Sequence, residues 1–265
     1  MPSRFTYSVL GHFASGGMAE LYSIVLNDGQ RALLRELQAA KVFRIGLHRR
    51  FRFGLKARET LSPHEHIANS LEWGYSKFRP YEIIEWVEGQ NLKSLFNARS
   101  NVLADQSMEI LLQAATALAW VHEHDLMHLD VKPENFLCRN DKDGTVTIKL
   151  TDFDLTRPAD DNAPKKQLGT PAYMAPEQFK KKTASMASDV FAFNVMAYQL
   201  LTGKMPFTGN TPKKTWRNQA SDSVLPRPPI ELVPELPEKV NRIVMRGLVK
   251  RPQLRLPDMR AWLHE

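Results

Sequence analysis

Two short segments in the second half of the chain carry acidic, basic and amide side chains at a spacing that could do chemistry. Residues 128–135 read HLDVKPEN, and residues 152–154 read DFD. Transfer of a phosphoryl group from ATP needs a carboxylate that orients the accepting hydroxyl, a cation beside the phosphate, and oxygen ligands for Mg²⁺. The carboxylates, the lysine and the asparagine of these segments supply all three. The sequence therefore predicts a phosphoryl-transfer site.

These segments belong to an ordered set of motifs. Residues 169–177 read GTPAYMAPE, and strand patterns at 136–138 and 146–150 predict a β-hairpin between the first two motifs. In this order the chain resembles the protein kinase family, of the bacterial-style Ser/Thr type, from about residue 5 to residue 263. The resemblance implies an α+β, two-lobed kinase-like fold, with a small β-rich lobe and a large α-rich lobe around an ATP cleft.

The resemblance also assigns roles within the catalytic set. Asp130 corresponds to the catalytic base, and Lys132 to the lysine that neutralises the γ-phosphate. Asn135 and Asp152 correspond to the Mg²⁺ ligands. Lys132, together with Thr170 in the peptide-docking segment, is typical of the Ser/Thr class rather than the Tyr class. Small-molecule kinases are the alternative, but they usually lack this lysine and the APE segment.

Further matches concern the fold rather than the chemistry. Asp189 resembles a buried carboxylate that caps the backbone of the catalytic loop, while Glu177 and Arg255 resemble a buried ion pair of the family. The single cysteine, Cys138, lies in an apolar strand-like run and is expected to be a small buried hydrophobe.

The hydrophobic patterns predict a β-rich first third and an α-rich remainder. Strand patterns in the first third cover residues 5–10, 20–26, 31–37, 67–73 and 81–87. A basic helix is predicted at 47–61, ended by Ser62-Pro63, and Asp105 is the predicted N-cap of a long apolar helix. We expect one kinase domain at 5–265, with an N-lobe at about 5–85, a hinge at about 85–89 and a C-lobe at about 90–265.

The resemblance places the nucleotide against the N-lobe and the hinge. The phosphate-covering loop aligns with residues 14–21 and keeps the central glycine, while alanine replaces the outer two. Adenine would meet the backbone of Glu85 and Val87, behind Ile84 as the gatekeeper. The implied ATP-contacting residues are Ala14, Gly16, Gly17, Leu21, Leu33, Arg35, Ile84, Glu85, Val87 and Leu137.

The first lobe departs from the family pattern at several positions. Arg35 stands where the family has lysine, and Leu33 replaces a small alanine beside the adenine. The helix glutamate that should pair with the strand cation is missing, because its position falls near Gly54 or Leu55. Glu59 is a candidate substitute if the helix shifts by about a turn. The alternative is a solvent-facing Glu59 with no catalytic role.

These departures leave two hypotheses open. The first is a working Ser/Thr protein kinase with a signalling role that transfers the γ-phosphate of ATP, with Mg²⁺, to a protein hydroxyl. The second is a pseudokinase that acts as a nucleotide-binding scaffold or an allosteric partner. The intact catalytic set favours the enzyme, whereas Leu33, Arg35, Gly54 and Asp154, which replaces the glycine after Phe153, favour the pseudokinase. In a working enzyme, Arg35→Lys is expected to raise activity or leave it unchanged, unless the guanidinium has its own carboxylate partner.

Switching by phosphorylation of the activation segment is not expected. An arginine usually precedes the catalytic aspartate and binds the regulatory phosphate, but this chain has Leu129 there. Residues 155–168 offer Thr156 as a hydroxyl, too close to Asp152, and Lys165 and Lys166 have no hydroxyl residue beside them.

Charge and hydropathy indicate which partners and which cellular location are expected for the protein. Lys and Arg exceed Asp and Glu by 36 − 29 = 7, with basic clusters at 41–58 and 180–182. No known nucleic-acid motif accompanies these clusters, so solvated faces are the preferred interpretation and nucleic acid is not an expected partner. The longest apolar stretch, 110–121, is too short to cross a bilayer. Without a signal-peptide pattern, the expected location is the cytoplasm.

Overall fold

The computed structural model describes residues 5–141, 144–161, 170–180 and 183–265. The strands are β1 (Tyr7–Ser15), β2 (Ala19–Leu26), β3 (Arg31–Leu37), β4 (Ser70–Ser76), β5 (Arg79–Glu85), β6 (Gly89–Asn91), β7 (Leu126–Met127), β8 (Phe136–Asn140), β9 (Val146–Leu150) and β10 (Arg157–Pro158). The helices are α1 (Ile45–Leu61), α2 (Leu92–Asn97), α3 (Asn101–Asp105), α4 (Ser107–Glu123), α5 (Pro176–Lys180), α6 (Met186–Thr202), α7 (Pro212–Ala220), α8 (Glu238–Gly247) and α9 (Met259–His264).

The first lobe is an antiparallel sheet of strand order β1-β2-β3-β5-β4 with α1 packed against it. The helix buries Phe51 and Leu55, which join Met18 and Leu37 in one apolar cluster. This spacing of three to four residues puts the buried side chains of α1 on one face. Antiparallel pairing of β3 with β5 sets the register on which the site depends, because it places residues of the two strands opposite each other.

The second lobe is built around α4 and α6. Most of α6 is buried because its sequence is apolar almost all round, and the helix ends at Gly203 with φ of +71°. A three-stranded sheet of order β6-β8-β9 belongs to the same lobe. The segment between β7 and β8 carries the predicted catalytic residues. The main apolar core of the molecule lies beneath that segment.

Several predicted element boundaries are wrong. Asp105 is not the N-cap of the long helix: it ends α3, and Gln106 occupies the N-cap of α4. The reason is that a separate short helix precedes α4 and buries Leu103. β1 is longer than predicted because it stays paired with β2 up to Ser15. β4 begins after the predicted strand start at 67, since Ile67 instead forms an isolated parallel bridge with Leu150.

Other predictions of local structure are confirmed. β3 and the end of α1 lie where the sequence placed them, and Cys138 is 2% exposed. Residues 142 and 143 of the predicted hairpin turn, and 181 and 182 of the basic cluster, lie outside the described residues. Within the described ranges, no helix is both long and apolar enough to span a membrane.

Candidate active site

The segment between β7 and β8 is fixed by a carboxylate from α6. Asp189 accepts hydrogen bonds from the backbone N–H groups of His128 at 2.7 Å and Leu129 at 2.8 Å. Leu129 has φ of +63°, and such a conformation costs a non-glycine residue about 1–2 kcal/mol. The two hydrogen bonds stabilise the backbone in that strained form. The predicted capping role of Asp189 is thereby confirmed.

Three of the four predicted catalytic residues contact one another. The Nζ atom of Lys132 lies 2.7 Å from Oδ2 of Asp130. The Nδ2 atom of Asn135 donates to the backbone carbonyl of Asp130 at 2.8 Å and to its Oδ2 at 3.1 Å. Asp130 is 8% exposed and Asn135 is 5% exposed. The Asp130 carboxylate therefore has a fixed direction before any substrate binds.

Asp152, the fourth predicted residue, follows β9 and lines the cavity between the lobes. The cavity has a volume of 270 Å³ and opens under the loop that joins β1 to β2. Asn135 and Asp152 both line it. Asp152 has φ of +61°, the second non-glycine residue of the catalytic region in the left-handed conformation. Strained backbone of this kind is frequent at functional sites.

Most of the residues predicted to contact ATP line this cavity. Those present in its wall are Ala14, Gly16, Gly17, Leu21, Leu33, Arg35 and Ile84. Glu85, Val87 and Leu137 are not part of the wall. The Glu85 side chain is used within the protein, since its carboxylate accepts from Lys149 Nζ at 2.7 Å and from the backbone N–H of Asn69 at 2.8 Å. Backbone contact of adenine with the hinge stays a prediction.

Sequence reasoning missed part of the wall, namely Ser15, Met18, Ala19, Arg58 and Thr151. The burial of Met18 could have been predicted, because a large apolar side chain inside a glycine-containing bend is stabilised when it packs away from water. It is 4% exposed, beneath the loop and against α1. Lys41 Nζ donates to the Gly17 carbonyl at 2.6 Å, and the Gln38 side chain donates to the Gly16 carbonyl at 3.0 Å. The segment that follows β3 thus holds the loop.

Arg35 does not pair with a residue of α1. One terminal nitrogen of its guanidinium lies 2.9 Å from Oε1 of Glu82, and the other lies 2.5 Å from Oδ2 of Asp154. Glu82 is the direct cross-strand neighbour of Arg35 in the β3–β5 pair. Glu59, the candidate substitute, is exposed, so the solvent-facing alternative is the one that the structure confirms. The physical reason is that Glu59 lies on the outer face of α1.

Helix α1 contributes a cation where a carboxylate was expected. The Nε atom of Arg58 lies 3.1 Å from Oε2 of Glu82, and its NH1 group donates to the carbonyl of Ala68 at 2.8 Å. Its guanidinium carbon lies 4.9 Å from the centre of the Phe153 ring. Two arginines therefore share the Glu82 carboxylate, which is 1% exposed. A buried carboxylate of this kind persists because it is paired.

The charges in this network also shift acid–base equilibria. Burial alone would lower the pKa of Arg35, but the carboxylates of Asp154 and Glu82 raise it above its ordinary value. Burial raises the pKa of Asp154 to about 6, against the opposing attraction of Arg35. Arg35 is thus a permanent cation, and its ion pair with Asp154 opposes the effect of burial on that carboxyl group.

The activation segment is described only in part. Residues 162–169 lie outside the described residues, and with them Lys165, Lys166 and Gly169. Thr156 is 3% exposed, which places its hydroxyl in the interior. Thr170 and Asp130 line one small cavity, and the role of Thr170 as a docking threonine stays a prediction.

Two structural pairs of the second lobe support the family assignment. The predicted ion pair between Glu177 and Arg255 forms at 2.9 Å, and the Arg255 side chain is fully buried. The Tyr173 hydroxyl donates to the side-chain carbonyl of Gln199 at 2.8 Å. Residues 7–265 match the family described as "Protein kinase domain". The chain belongs to the protein kinase domain family. The predicted two-lobed α+β fold is confirmed with it.

Curated relatives of this kinase domain include bacterial Ser/Thr kinases. It is 31% identical to "Serine/threonine-protein kinase PknA" of Mycobacterium tuberculosis, over 91% of this chain and 56% of the relative. It is 28% identical to "Serine/threonine-protein kinase Pkn1" of Myxococcus xanthus, over 97% of this chain and 37% of the relative. It is 27% identical to "Probable serine/threonine-protein kinase PknB" of Lactococcus lactis, over 96% of this chain and 40% of the relative. The chain thus spans between 37% and 56% of the length of these relatives.

Proposed function

We propose that this kinase domain is an ATP-dependent Ser/Thr protein kinase that transfers the γ-phosphate to a protein hydroxyl. The observation that carries the proposal is the Asp130 carboxylate, fixed by Lys132 and Asn135 next to the cavity that Asp152 lines. Its relatives named as Ser/Thr kinases support the same class.

The donor set of the cavity fits Mg²⁺. Asn135 uses its amide nitrogen on Asp130, which leaves the amide oxygen as the group for a cation. Asp152 adds a carboxylate in the same cavity wall. Mg²⁺ prefers oxygen ligands, often one or two protein side chains together with substrate phosphates. When bound, the ion would neutralise charge on the phosphates.

The protein groups divide the remaining work. Asp130 would orient the incoming hydroxyl and accept its proton, since the carboxylate is already held in place by two neighbours. Lys132, 2.7 Å from that carboxylate, would lie beside the transferred phosphate. Arg35 has N–H groups beyond the two used in its ion pairs, and these would face phosphate oxygens. Positioning and charge stabilisation supply most of the catalysis in this reaction class.

The alternative is a nucleotide-binding scaffold. Two observations motivate it: Arg35 is already paired with two carboxylates, and Leu33 is bulky. A domain that only binds has no chemical need for all four groups of the catalytic set, which favours the enzyme. Location in the cytoplasm and the absence of nucleic-acid partners stay predictions from the sequence.

The test is Mg²⁺-dependent transfer of labelled phosphate from ATP to a generic Ser/Thr protein substrate. We expect transfer by the wild-type domain and its loss in Asp130→Asn, which retains the shape of the side chain. Binding of ATP without any transfer that depends on Asp130 would support the scaffold instead.

A further inference from the structure

At Gly54, helix α1 lies against Phe153 and Asp154, the two residues that follow the predicted Mg²⁺ ligand Asp152. A Cβ atom on this residue would lie 2.9 Å from the backbone oxygen of Phe153 and 3.3 Å from Oδ1 of Asp154. The first distance is too short for any side chain unless the backbone moves. Gly54 is one of the two positions where the family resemblance places the helix glutamate. A glutamate therefore has no room there in this protein.

A carboxylate is present on the other side of this contact, at residue 154 rather than on α1. Asp154 stands where the family has glycine, directly under Gly54, and its Oδ2 atom holds Arg35 at 2.5 Å. The tightest contact of a Cβ atom at Gly54 is with the Phe153 backbone, and the Asp154 side chain lies next to it. The two departures from the family pattern therefore lie at one contact between α1 and residues 153 and 154.

Arg35 keeps its position through a second carboxylate within its own sheet. Glu82 faces it across the β3–β5 pair at 2.9 Å, and the side chains of Arg35 and Glu82 are 10% and 1% exposed. With Arg58 as the fourth member, two cations and two anions balance. Balanced charge matters here because an unpaired buried ion would lose its hydration without compensation.

We propose that Asp154 and Glu82 are the positioning residues of Arg35 and together replace the helix glutamate of the family. The inference rests on the proposed function. It implies that the strand cation is joined by an ion pair to the segment 152–154, which carries the predicted Mg²⁺ ligand Asp152. Helix α1 contacts Arg35 through the Phe51 ring, 4.4 Å from the guanidinium carbon, and contacts Glu82 through Arg58.

Substitution on both sides of this contact tests the proposal. Asp154→Gly, Gly54→Glu and the double variant are compared with the wild type in kcat and in KM for ATP. Asp154→Gly is expected to lower kcat/KM about tenfold to a hundredfold, mostly through kcat, because a misplaced cation fails the transition state. Gly54→Glu is expected to lose as much, since a Cβ atom at this position would lie 2.9 Å from the backbone oxygen of Phe153. The double variant is expected to be no more active than Asp154→Gly, because removal of the Asp154 side chain leaves that backbone contact in place.

A second measurement separates this inference from the proposed function. Thermal unfolding without nucleotide is recorded for the same four proteins, with Lys56→Glu as the control, because it adds an acid on the exposed face of α1. The expected result is a melting temperature of Asp154→Gly below that of the wild type, because Arg35 loses one of its two carboxylate partners, and a Lys56→Glu value equal to the wild type. This result stands even if the wild type shows no transfer that depends on Asp130, which would refute the proposed function alone. If Gly54→Glu does not fold, Asp154→Asn replaces it and must lower kcat more than KM.

Two outcomes overturn the inference. One is an Asp154→Gly variant equal to the wild type in both kcat and melting temperature. The other is a rise in kcat in Asp154→Gly or Asp154→Asn, which would show that Asp154 withholds Arg35 from the phosphates.

Discussion

Arg35 and Glu82 face each other across adjacent strands, and their side chains form an ion pair of 2.9 Å inside the sheet. The strand register sets this pair, and the position of α1 does not. Glu82 also accepts from Arg58, so one carboxylate serves two buried cations.

Glu82→Gln is expected to lower the free energy of unfolding by about 3–5 kcal/mol, because removing the shared carboxylate leaves excess buried positive charge. Denaturation by urea or guanidinium chloride measures the loss. Glu59→Gln is the matched control, since Glu59 is exposed on α1, and it should change stability by less than about 0.5 kcal/mol. A loss of less than about 1 kcal/mol in Glu82→Gln would show that the network is not a stabilising unit.

Arg35→Lys is now expected to lower kcat/KM by about tenfold or more, which reverses the expectation from the sequence. The guanidinium bridges Glu82 and Asp154 with separate nitrogens, whereas lysine offers a single compact ammonium. Steady-state kinetics of transfer measure the effect. Arg31→Lys provides the control, because Arg31 is an exposed cation of the same strand. Unchanged activity of Arg35→Lys would contradict the bridging role.

Nucleotide binding is expected to depend on Mg²⁺, because Asn135 and Asp152 supply oxygen ligands while Arg35 is engaged with two carboxylates. Thermal-shift curves with ATP alone and with ATP plus Mg²⁺ measure the dependence. Asp152→Asn should remove most of the additional increase in melting temperature that Mg²⁺ gives in the presence of ATP. Equal shifts with and without Mg²⁺ in the wild type would refute this prediction.

Phosphorylation of residues 155–168 is not expected to activate the domain. Leu129 offers no cation to a phosphate, and Thr156 is buried. Phosphatase-treated protein and protein preincubated with ATP should therefore give equal initial rates. Intact mass and peptide mapping identify any phosphate, and a rate gain that follows a phosphate in this segment would overturn the expectation. A phosphate on Thr170, beside Asp130, should inhibit.

Cys138 is expected to resist alkylation at pH 8 in the folded protein. Burial raises the pKa of its thiol to about 11, so only about one molecule in a thousand carries the reactive thiolate at that pH. Unfolding returns the pKa to about 8.5, where roughly a quarter is ionised. Iodoacetamide labelling with and without guanidinium chloride, read by intact mass, compares the two states. Equal labelling rates in the two states would contradict the buried position.

The sequence alone predicted that Asp130, Lys132 and Asn135 lie together, because they belong to one continuous segment, 128–135, whose spacing limits which side chains can meet. The family resemblance, carried by distinctive motifs, also predicted the fold class and the pair of Glu177 with Arg255, which are 78 residues apart in the sequence. Only the tertiary structure decided which carboxylates hold Arg35. Glu82 is 47 residues away from Arg35 and Asp154 is 119 residues away. Such contacts depend on strand register and on the close approach of α1 at Gly54, and both arise from packing between distant segments rather than from any local pattern.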